Sequence, residues 1–357
     1  MLIQGVLFIR RRWYETFLVM HIVLGVCWLV GCWTHVNKLG FVYFFYPVAI
    51  AWGIDRLARI IRLLLFGYPL ADIELITNDL MRIDIPVPES WQNRDNIGYA
   101  FIYILRANCF WQSHPFTFMH SIITQKRIVC YCRVKGGLTD NLRHYLLYKS
   151  NNHARIRVGV EGPYGSSPPV NQTDSMVFVA GGSGISGIYQ EVTCRTKRNQ
   201  RDFAVTVKLI WIVRDFSFIR WFYAELKALK ETSVIVMVYI TGVSAQSREN
   251  GVPQDGVTVE KEVGHEMVSL QRSPSMPSLD DVDHESGRDL SFIEFLYGRF
   301  DVTRLVITNI EECKTSVSFI TCGHPKMVDD LRVAVCQSIN SEPDKEIHFY
   351  DQLEVWA

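Results

Sequence analysis

A surplus charge of either sign is missing from this 357-residue chain, whose 37 Lys and Arg balance 37 Asp and Glu. That removes the basic field a nucleic-acid partner would require, and no acidic tail stands in its place. The nine cysteines form no CxxC pair and no Cys/His cluster at zinc spacing. Cys27 and Cys32 fall inside an apolar stretch, so they read as reduced structural thiols of a cytosol-facing protein. No small-residue cleavage site follows the first apolar run, and a second run follows at once, which sets a signal peptide aside. A complete GxGxxG fingerprint is missing too. The glycine-rich segment Gly181, Gly182, Ser183, Gly184 taken alone is compatible with a plain turn.

What is present begins with those two runs. Phe17–Trp33 and Phe41–Ile54 are almost wholly apolar, and with their aromatic flanks they qualify as a short membrane hairpin. Arg10, Arg11 and Arg12 precede the first run, while Arg56, Arg59 and Arg62 follow the second. Both ends therefore belong in the cytoplasm, with Thr34–Leu39 outside. His21 and His35 stand fourteen residues apart, close to four helical turns, which puts both rings on one face about 21 Å apart. That spacing suits axial ligation of two stacked haem irons. A wet interfacial histidine at position 35 is the plainer alternative. No second intramembrane histidine is evident to complete either ligand pair.

Beyond Gly67 the sequence alternates apolar and polar residues. Phe101–Leu105, Ile128–Val134 and Arg155–Val160 read as strands of a small antiparallel barrel. Trp111–Ser121, WQSHPFTFMHS, is either core packing or a ligand-facing edge; Pro115 argues against a central strand and the two histidines against a dry interior. After the barrel, Met176–Ile188 reads as strand, glycine turn and helix, the shape of a dinucleotide site. Such glycines let the backbone approach a pyrophosphate at a helix N-terminus. Ala204–Val213, Val234–Ile240 and Ser316–Thr321 read as further strands, with Phe216–Lys230 as a helix, so the C-terminal part is an α/β domain with a parallel sheet. Arg214 closes one strand. It is either a partner for the 2′-phosphate of NADP or a solvated strand-end charge. Residues 244–287 are rich in Ser, Pro and acidic side chains and read as a disordered insertion.

Four motifs occur in order: HPFT (His114–Thr117), GPYG (Gly162–Gly165), VAGGSGISG, and TCGHPKMVDDLR (Thr321–Arg332). In that order the chain resembles the fungal ferric-chelate reductases, which share their architecture with the NADPH oxidases. The likeness takes in nearly the whole chain, including His21 and His35, DRLARIIR, and the aromatic end IHFYDQLEVWA. It implies a membrane hairpin over residues 1–70, an antiparallel FAD-binding β-barrel over 71–169, and an α/β parallel-sheet NADP-binding domain over 170–357. His114, Pro115, Phe116 and Thr117 would border the flavin, and Gly137 and Thr139 of KGGLT its pyrophosphate. Trp356 would lie against the flavin face as a gate. Gly181, Gly182, Ser183, Gly184 and Ile185 would hold NADPH with Arg214, and Cys322 and Gly323 would sit nearest the hydride transfer. A buried small hydrophobe is the alternative for Cys322.

The function this implies is transmembrane reduction of extracellular ferric chelates for iron uptake, with NADPH, FAD and haem. The site would lie in the plasma membrane, with both nucleotide domains cytoplasmic. A superoxide-forming NADPH oxidase, a flavin reductase with a membrane anchor, and a non-catalytic subunit of a reductase remain alternatives. Two departures from the family pattern stand out: His324 where proline usually follows CG, and Asn96-Ile97-Gly98 where PGQ is usual. The chain also carries fewer membrane helices than family members do, so it reads as N-terminally truncated.

Overall fold

The computed structural model describes residues 14–92, 98–107, 109–122, 124, 126–165, 167–168, 173–199, 205–242, 290–298, 300–341 and 343–352. The expected insertion at 244–287 and Trp356 lie outside them. Two units divide the chain, Met1–Gly67 and Tyr68–Ala357.

The first unit is two helices joined by a tight turn. Helix α1 (Tyr14–Lys38) is continuous through both histidines. Its stretch Thr16–Lys38 is, among the described residues, the one helix long and apolar enough to cross a membrane. A 3-10 turn over Val42–Phe45 then leads into α2 (Tyr46–Phe66). Trp33 closes the turn, its ring 6.3 Å from Phe45 and 5.7 Å from Tyr46. The apolar run expected to span a second time is thus divided between the turn and the head of α2. From Asp55 onward α2 is charged, with Asp55 paired to Arg56 at 2.7 Å and Arg59 at 3.1 Å. The helix as a whole runs 21 residues, about 31 Å at 1.5 Å per residue and so close to the roughly 30 Å of a bilayer core, with its charged residues Asp55, Arg56, Arg59 and Arg62 in its second half.

The second unit opens with a closed antiparallel barrel. Its strands are β1 (Leu70–Thr77), β2 (Leu80–Pro86), β3 (Gly98–Ile104), β4 (Ser113–His120), β5 (Arg127–Arg133) and β6 (His153–Tyr164), in the order β1-β2-β5-β4-β3-β6. The sequence dictates this through period-two alternation. Ile73, Met81, Ile83, Ile102 and Ile104 point inward and are fully buried, while their neighbours face out. Two helices decorate the barrel, a single turn α3 (Glu89–Gln92) and α4 (Leu138–Leu147).

Six parallel strands follow, β7 (Ser175–Gly181), β8 (Thr206–Val213), β9 (Ile235–Ile240), β10 (Glu294–Tyr297), β11 (Ser316–Cys322) and β12 (Glu346–Asp351), ordered β10-β9-β8-β7-β11-β12. β11 is buried at every position, the signature of a sheet covered on both faces. Helices α5 (Ile185–Asn199), α6 (Ser217–Trp221), α7 (Tyr223–Ala228), α8 (Val302–Glu312) and α9 (Pro325–Ser341) supply the crossovers. The single helix expected over Phe216–Lys230 is broken between α6 and α7 at Phe222, which adopts φ −110° and ψ 13°. Phe222 is fully buried among Tyr131, Tyr189, Trp211 and Trp221, so packing overrides helical continuity there.

That aromatic group lies in a hydrophobic cluster shared by barrel and sheet, with Leu80, Met119, Val129 and Tyr131 on one side and Phe178, Tyr189, Trp211 and Phe222 on the other. Inside it Tyr131 donates its hydroxyl to the Trp221 carbonyl and the Glu225 carboxylate, both at 3.2 Å. At the opposite end of the sheet, Asp174 ties the start of β7 to that of β11. Its carboxylate accepts from the Thr315 amide at 2.5 Å, the Ser316 amide at 3.1 Å and the Ser316 hydroxyl at 2.7 Å.

Candidate nucleotide and flavin site

The strand order reverses at β7: β8, β9 and β10 lie to one side, β11 and β12 to the other. In an open parallel sheet the crevice beyond the carboxyl ends of strands at such a reversal is where a ligand binds. The expected glycine segment sits in that crevice. Gly181 ends β7, Gly182 to Gly184 form a 3-10 turn, and Ile185 begins α5. Gly182 takes φ +54°, a left-handed conformation that glycine adopts without strain. Its carbonyl is held by the indole N–H of Trp211 at 2.9 Å. Trp211 was not anticipated, although it is the lone aromatic of LIWIV on β8.

β11 delivers the second motif to the same place. Cys322 pairs with Ala180 across the ladder, which sets Cys322–Gly323 against the glycine turn. The approach is backbone to backbone: a Cβ added at Gly184 would lie 2.7 Å from the Cys322 carbonyl oxygen, and one at Gly323 would lie 2.9 Å from the Gly181 Cα. Cys322 itself is buried. Two segments about 140 residues apart in sequence therefore meet backbone to backbone, with the Met327 side chain alongside: its Cε would lie 2.8 Å from a Cβ added at Gly323 and its Sδ 3.0 Å from one added at Gly181. Arg214 follows the end of the adjoining strand β8. Its carbonyl accepts from the Gly242 amide at 2.7 Å while the residue stays exposed. It lies at the carboxyl end of β8, the strand beside β7 and its glycine turn.

The barrel contributes β4. Its HPFT half, Ser113–Phe118, pairs with β3, whereas β5 joins only at Met119 and His120. This resolves the objection raised by Pro115: the strand lies inside the barrel order, yet the proline falls where one edge has no ladder to disrupt. His114, Pro115 and Phe116 are buried and Thr117 is half-buried. The strand then reaches the sheet domain. A Cβ at Gly187 on α5 would lie 3.4 Å from the Thr117 methyl and 3.5 Å from the Gln352 side-chain oxygen, and the His120 amide donates to Gln190 of α5 at 2.9 Å. Gly187, Gln190 and Gln352 are site neighbours that sequence reading passed over; Gly187 is the final glycine of GGSGISG and carried the available signal.

Gly137 and Thr139 are held apart from this junction. Gly137, at φ +59°, caps the start of α4, which packs on β1. The Thr139 hydroxyl accepts from the Lys135 amide at 3.1 Å and donates to the Gly136 carbonyl at 3.2 Å, making a fixed glycine loop before a helix N-terminus, the form suited to a phosphate. GPYG closes the barrel elsewhere, with Tyr164 stacked on Tyr99 at 5.8 Å. His21 and His35 are both exposed on α1, the first stacked on Phe17 at 5.6 Å. Among the described residues no group of three His, Cys, Asp or Glu side chains could hold a metal ion.

Comparisons with known proteins follow the same division. Residues 65–168 match the model of the family described as FAD-binding domain, and residues 173–336 that of ferric reductase NAD binding domain. A probable ferric reductase transmembrane component of Candida albicans is 36% identical over 360 residues, covering 100% of this chain and 51% of that protein. Ferric reductase transmembrane component 4 of Saccharomyces cerevisiae is 31% identical, covering 97% of this chain and 49% of that protein. The chain therefore spans about half the length of the curated relatives it matches. Among solved structures, a ferredoxin NADP+ reductase from Neisseria gonorrhoeae with bound FAD and NADP aligns at TM-score 0.50 and 16% identity, covering 80% of this chain and 97% of that one; this likeness bears on the fold of barrel and sheet. With an FAD-binding domain and a nicotinamide-nucleotide domain matched side by side, and alignment to transmembrane reductase components along its whole length, the chain belongs to the fungal ferric reductase family.

Proposed function

We propose that the chain works as an NADPH-dependent ferric-chelate reductase of the plasma membrane, with FAD and haem as its cofactors and extracellular Fe(III) as its acceptor. The observation that carries this reading is the junction itself. One glycine turn is closed by Cys322–Gly323 on the sheet side and faces the HPFT strand through Gly187 and Thr117. FAD, when bound, supplies the conversion from a two-electron hydride donor to single-electron delivery.

The chain's own residues then divide the work. The backbone of Gly181, Gly182, Ser183, Gly184 and Ile185, at the head of α5, holds the pyrophosphate of NADPH. Arg214 offers a guanidinium to the 2′-phosphate and so selects NADPH over NADH. Cys322 and Gly323 bound the nicotinamide, and the burial of Cys322 keeps water from the transfer point. His114, Pro115, Phe116 and Thr117 line the flavin along the open edge of β4, with Gly137 and Thr139 at its pyrophosphate. Trp356 covers the flavin face until nicotinamide enters. His21 and His35, fourteen residues apart on α1, would each hold one haem, which would supply single-electron transfer across the membrane. Barrel and sheet are cytoplasmic.

Membrane vesicles carrying the chain, given NADPH on one side and an impermeant ferric chelate on the other, test the acceptor. Formation of about two Fe(II) per NADPH is the expected result. Oxygen uptake with superoxide release would reassign the chain as an NADPH oxidase, and dye reduction confined to the NADPH side would make it an anchored flavin reductase.

A further inference from the structure

The barrel carries two large aromatic rings that its own packing does not use. Phe110 is 55% exposed and Trp111 57%, and the rings meet edge to face at 5.1 Å. They are not on a loose strand end. The Cys109 side chain is buried with its sulfur 3.6 Å from the Ile104 carbonyl; the Cys109 amide donates to the Arg106 carbonyl at 3.0 Å and the Gln112 amide to the Cys109 carbonyl at 2.9 Å. A connection held by its own hydrogen bonds thus presents an apolar pair to water, and such a pair marks an interaction surface rather than a packing remainder.

Its neighbours are aromatic and basic. The Arg106 guanidinium lies 3.7 Å from the centre of the Tyr145 ring on α4, and the Lys149 ammonium lies 5.0 Å from the same ring. Tyr148, the residue that caps the end of α4, is 88% exposed. Among the described residues Arg106, Lys149 and Arg157 enter no ion pair with an acidic side chain. The fold also fixes where this surface lies relative to the chain's entry into the barrel. Leu70, two residues after Tyr68, pairs with Arg157 on one flank of β6, and the Tyr68 carbonyl accepts from the Arg157 side chain at 3.2 Å. On the other flank Ile104 pairs with Val158, and the Leu105 amide donates to the Arg157 carbonyl at 3.0 Å. The segment that follows α2 and the segment leading to Phe110 thus flank the same two residues of β6, roughly 10 Å apart at two strand spacings.

From these placements we infer that Phe110 and Trp111, with Tyr148, Arg106, Lys149 and Arg157, form a membrane-interface foot that seats the barrel on the anionic cytoplasmic leaflet. The occupant is lipid because three features agree. Phe and Trp rings suit the headgroup boundary, three basic side chains without acidic partners match its negative potential, and the same chain carries an apolar helix, α1, long enough to cross a membrane. The foot would hold the barrel in one orientation to the membrane, and it concerns none of the residues assigned to nucleotide or flavin. It can therefore fail while the proposed reductase activity stands.

Hydrogen exchange on the full chain tests it, comparing detergent micelles, nanodiscs of phosphatidylcholine alone, and nanodiscs containing phosphatidylserine. Amides of the segment around Phe110 and of the segment after Tyr148 should exchange roughly tenfold more slowly in the anionic discs than in micelles, with intermediate values in neutral discs. Phe110→Ser with Trp111→Ser should abolish that protection while exchange in β4 and β6 and dye reduction in detergent stay unchanged. The lipid comparison on the unaltered chain needs no variant, so misfolding of the double substitution would not shield the proposal. Equal exchange in all three environments overturns it. Protection equally strong in micelles and discs also overturns it, and assigns the surface to docking on the protein's own membrane helices.

Discussion

The two sides of the crevice are built from different material. On the sheet side the contact is main chain against main chain, with 2.7 Å between a Cβ added at Gly184 and the Cys322 carbonyl oxygen. On the barrel side the contact runs through side chains, and a Cβ added at Gly187 would meet the Thr117 methyl at 3.4 Å, ordinary van der Waals distance. At Gly184 the sheet side therefore leaves no room for a side chain and little freedom to adjust, because strand and turn backbone cannot step aside. The barrel side can repack. A nucleotide that comes and goes needs a surface of fixed shape, whereas a flavin held for the life of the protein can be fitted by side chains.

The largest expected effect comes from forcing a methyl group into the rigid side. Gly184→Ala should destabilise the fold by about 2–4 kcal/mol and abolish NADPH binding, since overpacking here meets backbone. Thermal melting and nucleotide titration on the same preparation would show it; a variant that melts and binds like the parent would remove the contrast. Next in size is Arg214→Ala, which should weaken NADPH binding by roughly tenfold or more and leave NADH binding alone, since a charge-assisted phosphate contact contributes about 1.5–3 kcal/mol. Equal losses for both nucleotides would return Arg214 to a solvated strand-end charge.

Two carboxylates outside the crevice carry the comparison into pH. Hydrogen bonds from the Ser316 hydroxyl and the Thr315 amide hold the Asp174 carboxyl well below the usual range. Its contribution is full above the ordinary aspartate pKa and disappears as pH falls through and below that range. Burial pushes the Glu225 carboxyl up, against the pull of Arg82 and the Tyr131 hydroxyl and with the push of Asp84. Its favourable contribution is present at low pH and is lost as pH rises past the ordinary glutamate value. Asp174→Asn should therefore lower the melting temperature at about pH 7 and do little at about pH 3, while Glu225→Gln should raise it at about pH 7 and do little at about pH 4. The same sign for both variants at neutral pH would contradict the assignment. Smallest of all, Gly187→Ala should shift stability by less than about 1 kcal/mol and be read as a small change in the flavin absorbance band.

Much of this architecture was legible in the sequence. Alternation marked β3, β5 and β6 of the barrel but not β1, β2 or β4, continuous apolar runs marked β7, β8, β9 and β11, and the glycine turn and the CG pair were each visible as local signals. Their meeting was not, because it depends on β11 returning beside β7 after a long excursion through β8, β9 and β10. Neither was the break at Phe222, where an aromatic cluster overrides helix periodicity, nor the junction through Gly187, Gln190 and Gln352, whose residue types are unremarkable in isolation. Pro115 misled for a definable reason: its effect depends on which edge of β4 has a partner, and a one-dimensional pattern does not carry that.

The central claim is that this junction presents nicotinamide to flavin. Anaerobic rapid mixing of the FAD-loaded, detergent-extracted chain with NADPH tests it most directly. The account predicts first-order bleaching of the flavin absorbance with a rate that saturates in NADPH, and a primary isotope effect when the transferred hydrogen is deuterium. An FAD-loaded chain whose absorbance is unchanged by NADPH would contradict it.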